Sequence, residues 1–456
     1  MKENRLGQNF GAVQLLRFAL PTVLMMLFTS LYTMVDGIFV ARLVNEYALS
    51  AINIINPLIS FVMGVGIMLA AGGSAYVARN MGEGKALEAK QNFTLITLVA
   101  LGCGIVLTVV LFVFADPLVR LLGSTDVLLP YCLAYLNCIA PFMASWIIQL
   151  IFESFFVAAG NPKLGLLVTI GAGVFNMVGD YVAIAWLGLG IQGAALATGA
   201  ATLIPCVVGF VYFLNKGRSV CFARPAWRGR VVSQSCFNGI SEMISNLSAM
   251  VVTLSYNLIM IKLAGEQGVA AISVILYMEF LFTAGFYGFA SGVAPIISYN
   301  FGAGYRTRMK RLVKDCYKFV CVGSVCVFCV SYFGSEALVS VFADPGTPLF
   351  QTAAEGMRVF SFGFLFAGVS LMTSNMFTAL SNGFVSAVIS TLRSFVFVII
   401  CLYGFSYCFG VQGVWAAVPV AEVMSLAVCI ICLAVVGKRY FSSSESEGHS
   451  TSSGDR

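Results

Sequence analysis

Charge is what this sequence has least of. Asp, Glu, Lys and Arg together make up 10% of the 456 residues, against about 25% in an ordinary soluble protein. A soluble chain of this length divides into two or three domains, each needing a polar surface. There is not enough charge here to cover such surfaces, so the bilayer must be the solvent for most of the chain. Histidine is almost missing. The single one, His449, lies in a polar tail, which leaves nucleophile–His catalysis and His-ligated metal chemistry without material. No catalytic constellation is seen, and the chain does not read as an enzyme. Basic excess is small, +6 overall, and the basic residues sit in short loops between apolar runs. Nucleic-acid binding needs them gathered on one solvated face, so that class is excluded too. Cysteine is present in quantity, fourteen residues, but without histidine beside it. The pairs Cys326/Cys329 and Cys429/Cys432 fall in apolar stretches and read as small helix residues, not metal ligands.

What is there in abundance is apolar sequence, 59% of the chain. A spanning helix needs about 20 mostly apolar residues, and about twelve such segments can be drawn. They cover 14–40, 47–76, 91–115, 130–158, 164–186, 190–214, 235–262, 268–298, 315–338, 352–379, 384–405 and 410–436. The first is too long for a signal-peptide core and reads as a retained transmembrane helix. Lys and Arg favour cytoplasmic loops. An even number of helices puts Lys2, Arg5, Arg79, Lys85, Lys90, Lys163, Lys216, Arg218, Arg224, Arg228, Arg230 and the run Arg306–Lys314 on one side. The other side has few basic residues, mixed with Asp and Glu. Both termini and the longest internal loop are therefore expected in the cytoplasm, in a multi-pass membrane protein. The Ser- and Glu-rich end, 441–456, is expected to be a disordered polar tail.

The chain repeats itself. Leu43–Gly84 aligns with Leu263–Gly304 at an offset of 220 (263 − 43), with Gly72/Gly292, Asn80/Asn300, Gly82/Gly302 and Gly84/Gly304 identical. Gly190–Gly193 matches Gly410–Gly413 at the same offset. Phe114–Pro117 matches Phe342–Pro345 at 228 (342 − 114), which implies a small insertion in the second half. The reading is an all-α integral membrane protein with two six-helix lobes, 1–215 and 233–440, joined by a basic linker at 216–232. Two related halves suit alternating access around a central site.

An ionisable group at a helix centre costs roughly 2.5–3.5 kcal/mol even on the lenient insertion scale, so those that persist are functional candidates. The first half has Asp36, Glu153 and Asp180. Asn176 lies one turn before Asp180 on the same helical face, and Thr198 adds a hydroxyl from the next helix. Carboxylates converging in a low-dielectric cavity cannot all ionise cheaply; one holds a proton, or a cation sits between them. Carboxylate, amide and hydroxyl oxygens are ligands for a hard cation. That gives a route to coupling with Na⁺ or H⁺ and requires no other cofactor. The second half has Glu242, Glu279, Arg393 and Glu422. Arg393 requires a buried carboxylate, and Glu422 and Glu242 are the candidates. Tyr32, Tyr277 and Phe280 are candidates to line an apolar cargo cavity. The Asn/Asp pair has no counterpart in the second half, so a cation site is expected in the first lobe only.

These residues resemble the multidrug and toxic compound extrusion (MATE) family in its bacterial branch, over about residues 10–436. The resemblance rests on Pro21 with Met34–Ala41, on Gly160–Lys163, on Phe175–Asp180, and on the GIQGAALAT stretch Gly190–Thr198. In the second half it rests on Pro295–Ala303 and on Gly413–Trp415 with Pro419 and Glu422. It implies V-shaped lobes and export of organic cations or amphipathic drugs across the bacterial inner membrane, in exchange for Na⁺ or H⁺; the chain is expected to work as a monomer among membrane lipids. By motif it places the coupling cation at Asp36, Asn176, Asp180 and Thr198. The chain departs from the family at Val157, where an arginine is common, and at Ser241–Glu242, where helix seven lacks its usual proline. Glu153 stands where many members carry a neutral polar residue. The alternative reading is a flippase for lipid-linked saccharides or another amphipathic metabolite, whose fold relatives have a strongly cationic cavity. The acidic character of the buried charges here favours cationic cargo.

Overall fold

A computed structural model describes residues 5–44 and 46–441. All of the expected polar tail but Phe441, with His449, lies outside those residues. Every regular element among them is helical. Eleven helices are long and apolar enough to span a membrane, and one of these counts twice. The run Gly229–Gly302 has 74 residues, about 110 Å if straight, far more than the hydrocarbon thickness of about 30 Å. It turns back at Gly265, whose φ of 65° and ψ of −155° belong to a region that essentially only glycine occupies. The spanning helices are therefore α1 (Ala12–Leu43), α2 (Glu46–Gly82), α3 (Ala86–Val113), α4 (Leu129–Ala158), α5 (Pro162–Trp186), α6 (Gly190–Leu214), α7 (229–264), α8 (266–302), α9 (Arg306–Phe333), α10 (Pro348–Ala379), α11 (Gly383–Phe409) and α12 (Val411–Gly437).

The repeat is finer than the residue matches imply. Both α4 and α10 carry a 3₁₀ turn in mid-span, at Ala140–Phe142 and Ser361–Gly363. A short helix follows α3 at Ala115–Leu121 and another follows α9 at Ser335–Val339. These starts differ by 220 (335 − 115), not 228. The Phe114–Pro117 match with Phe342–Pro345 is thus a correction to the sequence reading. In the first half the motif opens the short helix, and in the second it follows it. Only one residue is inserted by the start of α4's 3₁₀ turn (361 − 140 = 221). The repeat also ends α2 and α8 alike, at Asn80–Gly84 and Asn300–Gly304. Both asparagines are buried and still helical, and the loop proper begins later. Gly84 (φ 78°) and Gly304 (φ 72°) close each helix in the same way. Lys85 N–H bonds Asn80 C=O at 3.0 Å and Tyr305 N–H bonds Asn300 C=O at 3.0 Å, the six-to-one bond of a Schellman end.

A second pair of such ends follows α4 and α10. One uses Gly160 (φ 78°), but its counterpart is Ser381, the single non-glycine residue with positive φ (59°) among those described. The Ser381 hydroxyl is also buried without a partner. Ser381→Gly is therefore expected to stabilise the protein by about 1 kcal/mol, read as a higher thermal midpoint in detergent. A lower midpoint would mean the serine has a role that the backbone geometry does not reveal.

The lobes meet through glycines, as lipid-embedded helices do when backbones approach closely. A β-carbon on Gly72 of α2 would overlap the backbone of Ser235 in α7, and one on Gly239 of α7 would overlap that of Met68. The repeat mate of Gly72, Gly292 in α8, lies against Ala19 and Thr22 of α1. Where α2 and α8 cross, Gly82 packs on Tyr299 and Gly302 on Arg79. All these contacts lie toward the end of the bundle that carries the α2–α3 and α8–α9 turns. One hydrophobic core joins the lobes there, while the far half of the second lobe has a separate core around Tyr256, Ile275 and Trp415. Gly82→Val and Gly302→Val are each expected to cost roughly 1–3 kcal/mol of overpacking. Gly102→Val and Gly171→Val, where an added carbon meets nothing, are the controls. Equal losses in thermal midpoint at all four sites would refute a glycine-mediated seam.

Candidate functional site

Small residues bring the first-lobe candidates together. Gly173 of α5 lies under the rings of Phe28 and Tyr32 of α1, one turn before Asn176. Gly179 of α5 packs on Ala197 of α6, the neighbour of Thr198. The α5 helix then loosens into a π-segment, Tyr181–Trp186, directly after Asp180; such segments are frequent at functional sites.

Asp180 is fully buried, and neither of its carboxylate oxygens has a hydrogen-bond donor within reach. One oxygen of Asp36 is in the same condition, and the two carboxyl groups lie within electrostatic reach of each other. Two bare carboxylates both accept and neither donates. They can face one another in a buried site only with a proton on one or a cation between them. One turn before Asp180 on α5, Asn176 Nδ2 donates to Thr198 Oγ1 of α6 at 3.2 Å. Tyr135 of α4 is buried within electrostatic reach of both aspartates. Sequence reasoning missed it, and nothing in the sequence marks it out from the sixteen other tyrosines. Tyr32 lies within electrostatic reach of both Asp36 and Glu153. Glu153 is buried but satisfied, its Oε1 accepting from Gln149 Nε2 at 3.0 Å and Thr169 Oγ1 at 3.1 Å.

Among the described residues no three His, Cys, Asp or Glu side chains gather as a metal site. The fourteen cysteines are all free, with Cys326 and Cys329 exposed. The donor set at Asp36, Asn176, Asp180 and Thr198 is two carboxylates with neutral oxygens, which suits a hard monovalent cation or a proton.

The second lobe copies the geometry without the chemistry. The repeat mates of Asp36 and Asp180 are Tyr256 (36 + 220) and Cys401 (180 + 221), and these two also lie within reach of each other. Tyr256 is fully buried with an unpartnered hydroxyl. Its charges sit elsewhere. Arg393, in the π-segment Leu392–Val396 of α11, forms a two-pronged pair with Glu422 of α12. Arg393 Nη2 lies 2.7 Å from one Glu422 oxygen and Nε 3.2 Å from the other. Glu242 and Glu279 are within electrostatic reach of the same guanidinium, and Tyr287 lies close to Glu242. Three carboxylates thus surround one arginine. Tyr277 is not among them; half-exposed, it stacks on Phe342 with centroids 6.3 Å apart.

Comparisons with known proteins agree with this architecture. A family model described as MatE matches residues 21–182 and again 242–403. The chain is similar to the multidrug export protein MepA of Staphylococcus saprophyticus, 25% identical over 435 residues that cover 91% of this chain and 92% of that protein. MepA of Staphylococcus aureus is 24% identical over 429 residues, with 91% and 92% covered. Among solved structures, an outward-facing multidrug resistance MATE family transporter superposes with a TM-score of 0.91 at 18% identity, covering 97% of this chain and 99% of that one. The Vibrio cholerae MATE transporter VcmN gives 0.85 at 20% identity, with 94% and 98% covered.

Proposed function

This chain belongs to the MatE family, and on that footing we propose that it is a secondary antiporter exporting organic cations or amphipathic compounds in exchange for Na⁺ or H⁺. The observation that carries the proposal is the meeting of Asp36 and Asp180, with three buried carboxylate oxygens that no donor satisfies. A site so costly in lipid is useful if something positive enters and leaves it. Entry of the coupling ion between the two carboxylates draws α1 and α5 together, and its loss lets them part. Because α1 also packs on α8 through Gly288 and Gly292, a shift of α1 is felt at the seam between the lobes. That is how ion occupancy would bias which side the lobes open to. The termini and the α6–α7 linker would then face the cytoplasm. In the second lobe the three carboxylates around Arg393 leave an excess of negative charge, which supports cationic cargo over the lipid-linked anions a flippase would carry. MepA, named a multidrug export protein, is a relative whose cargo class fits this reading.

The test is uptake of ethidium into proteoliposomes under an imposed Na⁺ or H⁺ gradient. Uptake driven by one gradient supports the antiporter and identifies the ion. If neither gradient moves ethidium or a second, uncharged amphipathic dye, the antiporter reading fails.

A further inference from the structure

The α6–α7 linker does not float free of the first lobe. Phe222 stacks into the aromatic cluster of Phe93, Phe210 and Phe213, with centroids 5.1 Å from Phe93 and 5.8 Å from Phe210. Ala223 N–H donates to Thr94 Oγ1 of α3 at 3.0 Å, and Arg228 pairs with Glu88 of α3 at 3.0 Å. These three ties hold the segment 215–228 against the side of α3. They shape a hollow of about 570 Å³ whose lining includes Lys90, Lys216, Arg224, Phe222 and Pro225 and no acidic residue. Across Pro225, which lines both, lies a groove of about 330 Å³ bounded by Leu95, Leu98, Val99 and Trp227. Trp227 and Leu98 are well exposed. Helical rise puts Leu98 about 12 Å further along α3 than Lys90. The basic hollow is thus at the aqueous end of a spanning helix, and the apolar groove runs from it toward the hydrocarbon.

We propose that this linker pocket binds an anionic phospholipid, its phosphate among Lys90, Lys216 and Arg224 and its first acyl segment along Leu95, Leu98 and Trp227. Charge and depth together select the occupant. A cationic hollow alone would take any anion, and an apolar groove alone any lipid. Trp227, rigid and amphipathic, belongs at the level of the headgroups. The lipid would clamp the linker to the first lobe and so fix where the second lobe is tethered.

The experiment is thermal unfolding of the full chain in detergent, with dioleoyl phosphatidylglycerol, dioleoyl phosphatidylcholine or glycerol 3-phosphate added. The expected result is a rise in midpoint with phosphatidylglycerol that weakens at high salt, and none with the other two. Each Lys or Arg near an anionic surface contributes on the order of 1 kcal/mol. The triple variant Lys90→Gln, Lys216→Gln, Arg224→Gln should therefore lose about a hundredfold in apparent affinity for phosphatidylglycerol. Trp227→Ala should weaken it with the charges intact. Arg308→Gln, Arg311→Gln, Lys314→Gln, three exposed charges on α9, should leave it unchanged. Equal stabilisation by phosphatidylcholine, or by glycerol 3-phosphate, or an undiminished effect in the triple variant, would overturn the proposal. Should the triple variant fold poorly, the Trp227→Ala and lipid arms decide.

Discussion

Asp180→Asn is expected to abolish gradient-driven uptake while making the protein more stable. The native carboxylate is buried with both oxygens unsatisfied, a condition that costs about 1–3 kcal/mol for a polar group and more for a charged one. An amide of the same shape carries no charge and can donate to Asp36. The thermal midpoint should therefore rise as transport falls to the level of protein-free liposomes, a trade of function against stability. Asp36→Asn should also lose uptake. Glu153→Gln is the contrast. That carboxylate already accepts from Gln149 and Thr169, so it has less need of a passing cation, and uptake should survive in part. If Glu153→Gln abolishes uptake and Asp180→Asn does not, the coupling site has been put in the wrong place.

Arg393→Met is expected to destabilise far more than Glu422→Gln. Breaking a buried ion pair typically costs 3–5 kcal/mol, because one charge is left without its partner. Here the two sides of the pair are unequal. Without Glu422, Arg393 still has Glu279 and Glu242 in reach. Without Arg393, three buried carboxylates have no cation. The larger loss should thus fall on the arginine variant, and the double variant Arg393→Met, Glu422→Gln should regain part of it. Equal losses for the two single variants, measured as thermal midpoints in detergent, would mean that Glu242 and Glu279 do not feel the arginine.

The helix count, the two lobes and the first-lobe acidic residues were legible because each leaves a mark in sequence. Apolar runs have a length set by the bilayer, and an Asp inside one is conspicuous. The turn at Gly265 was legible too, since the apolar pattern breaks between 262 and 268. What failed to show is what depends on contact. Tyr135 is an ordinary residue of α4 until α1 and α5 bring two aspartates to it. Tyr256 looks unrelated to Asp36 until the fold of the second lobe brings it within reach of Cys401. The Phe-Ala-Asp-Pro match misled because four residues can recur by chance, whereas a 3₁₀ turn in mid-helix at the same place in each half is set by geometry. Tyr277 was a candidate to line the cargo cavity with Tyr32 and Phe280, and its sequence did not show that its ring lies on Phe342.

The most direct test of the coupling site is ion release on cargo binding. Purified protein in weakly buffered detergent would be mixed with ethidium while H⁺ is followed by a pH indicator and Na⁺ by a sodium-selective electrode. Coupling through the Asp36–Asp180 pair predicts release of one species by the wild type and none by Asp36→Asn or Asp180→Asn. Release that persists undiminished in both variants would contradict the account, because the ion would then be held elsewhere.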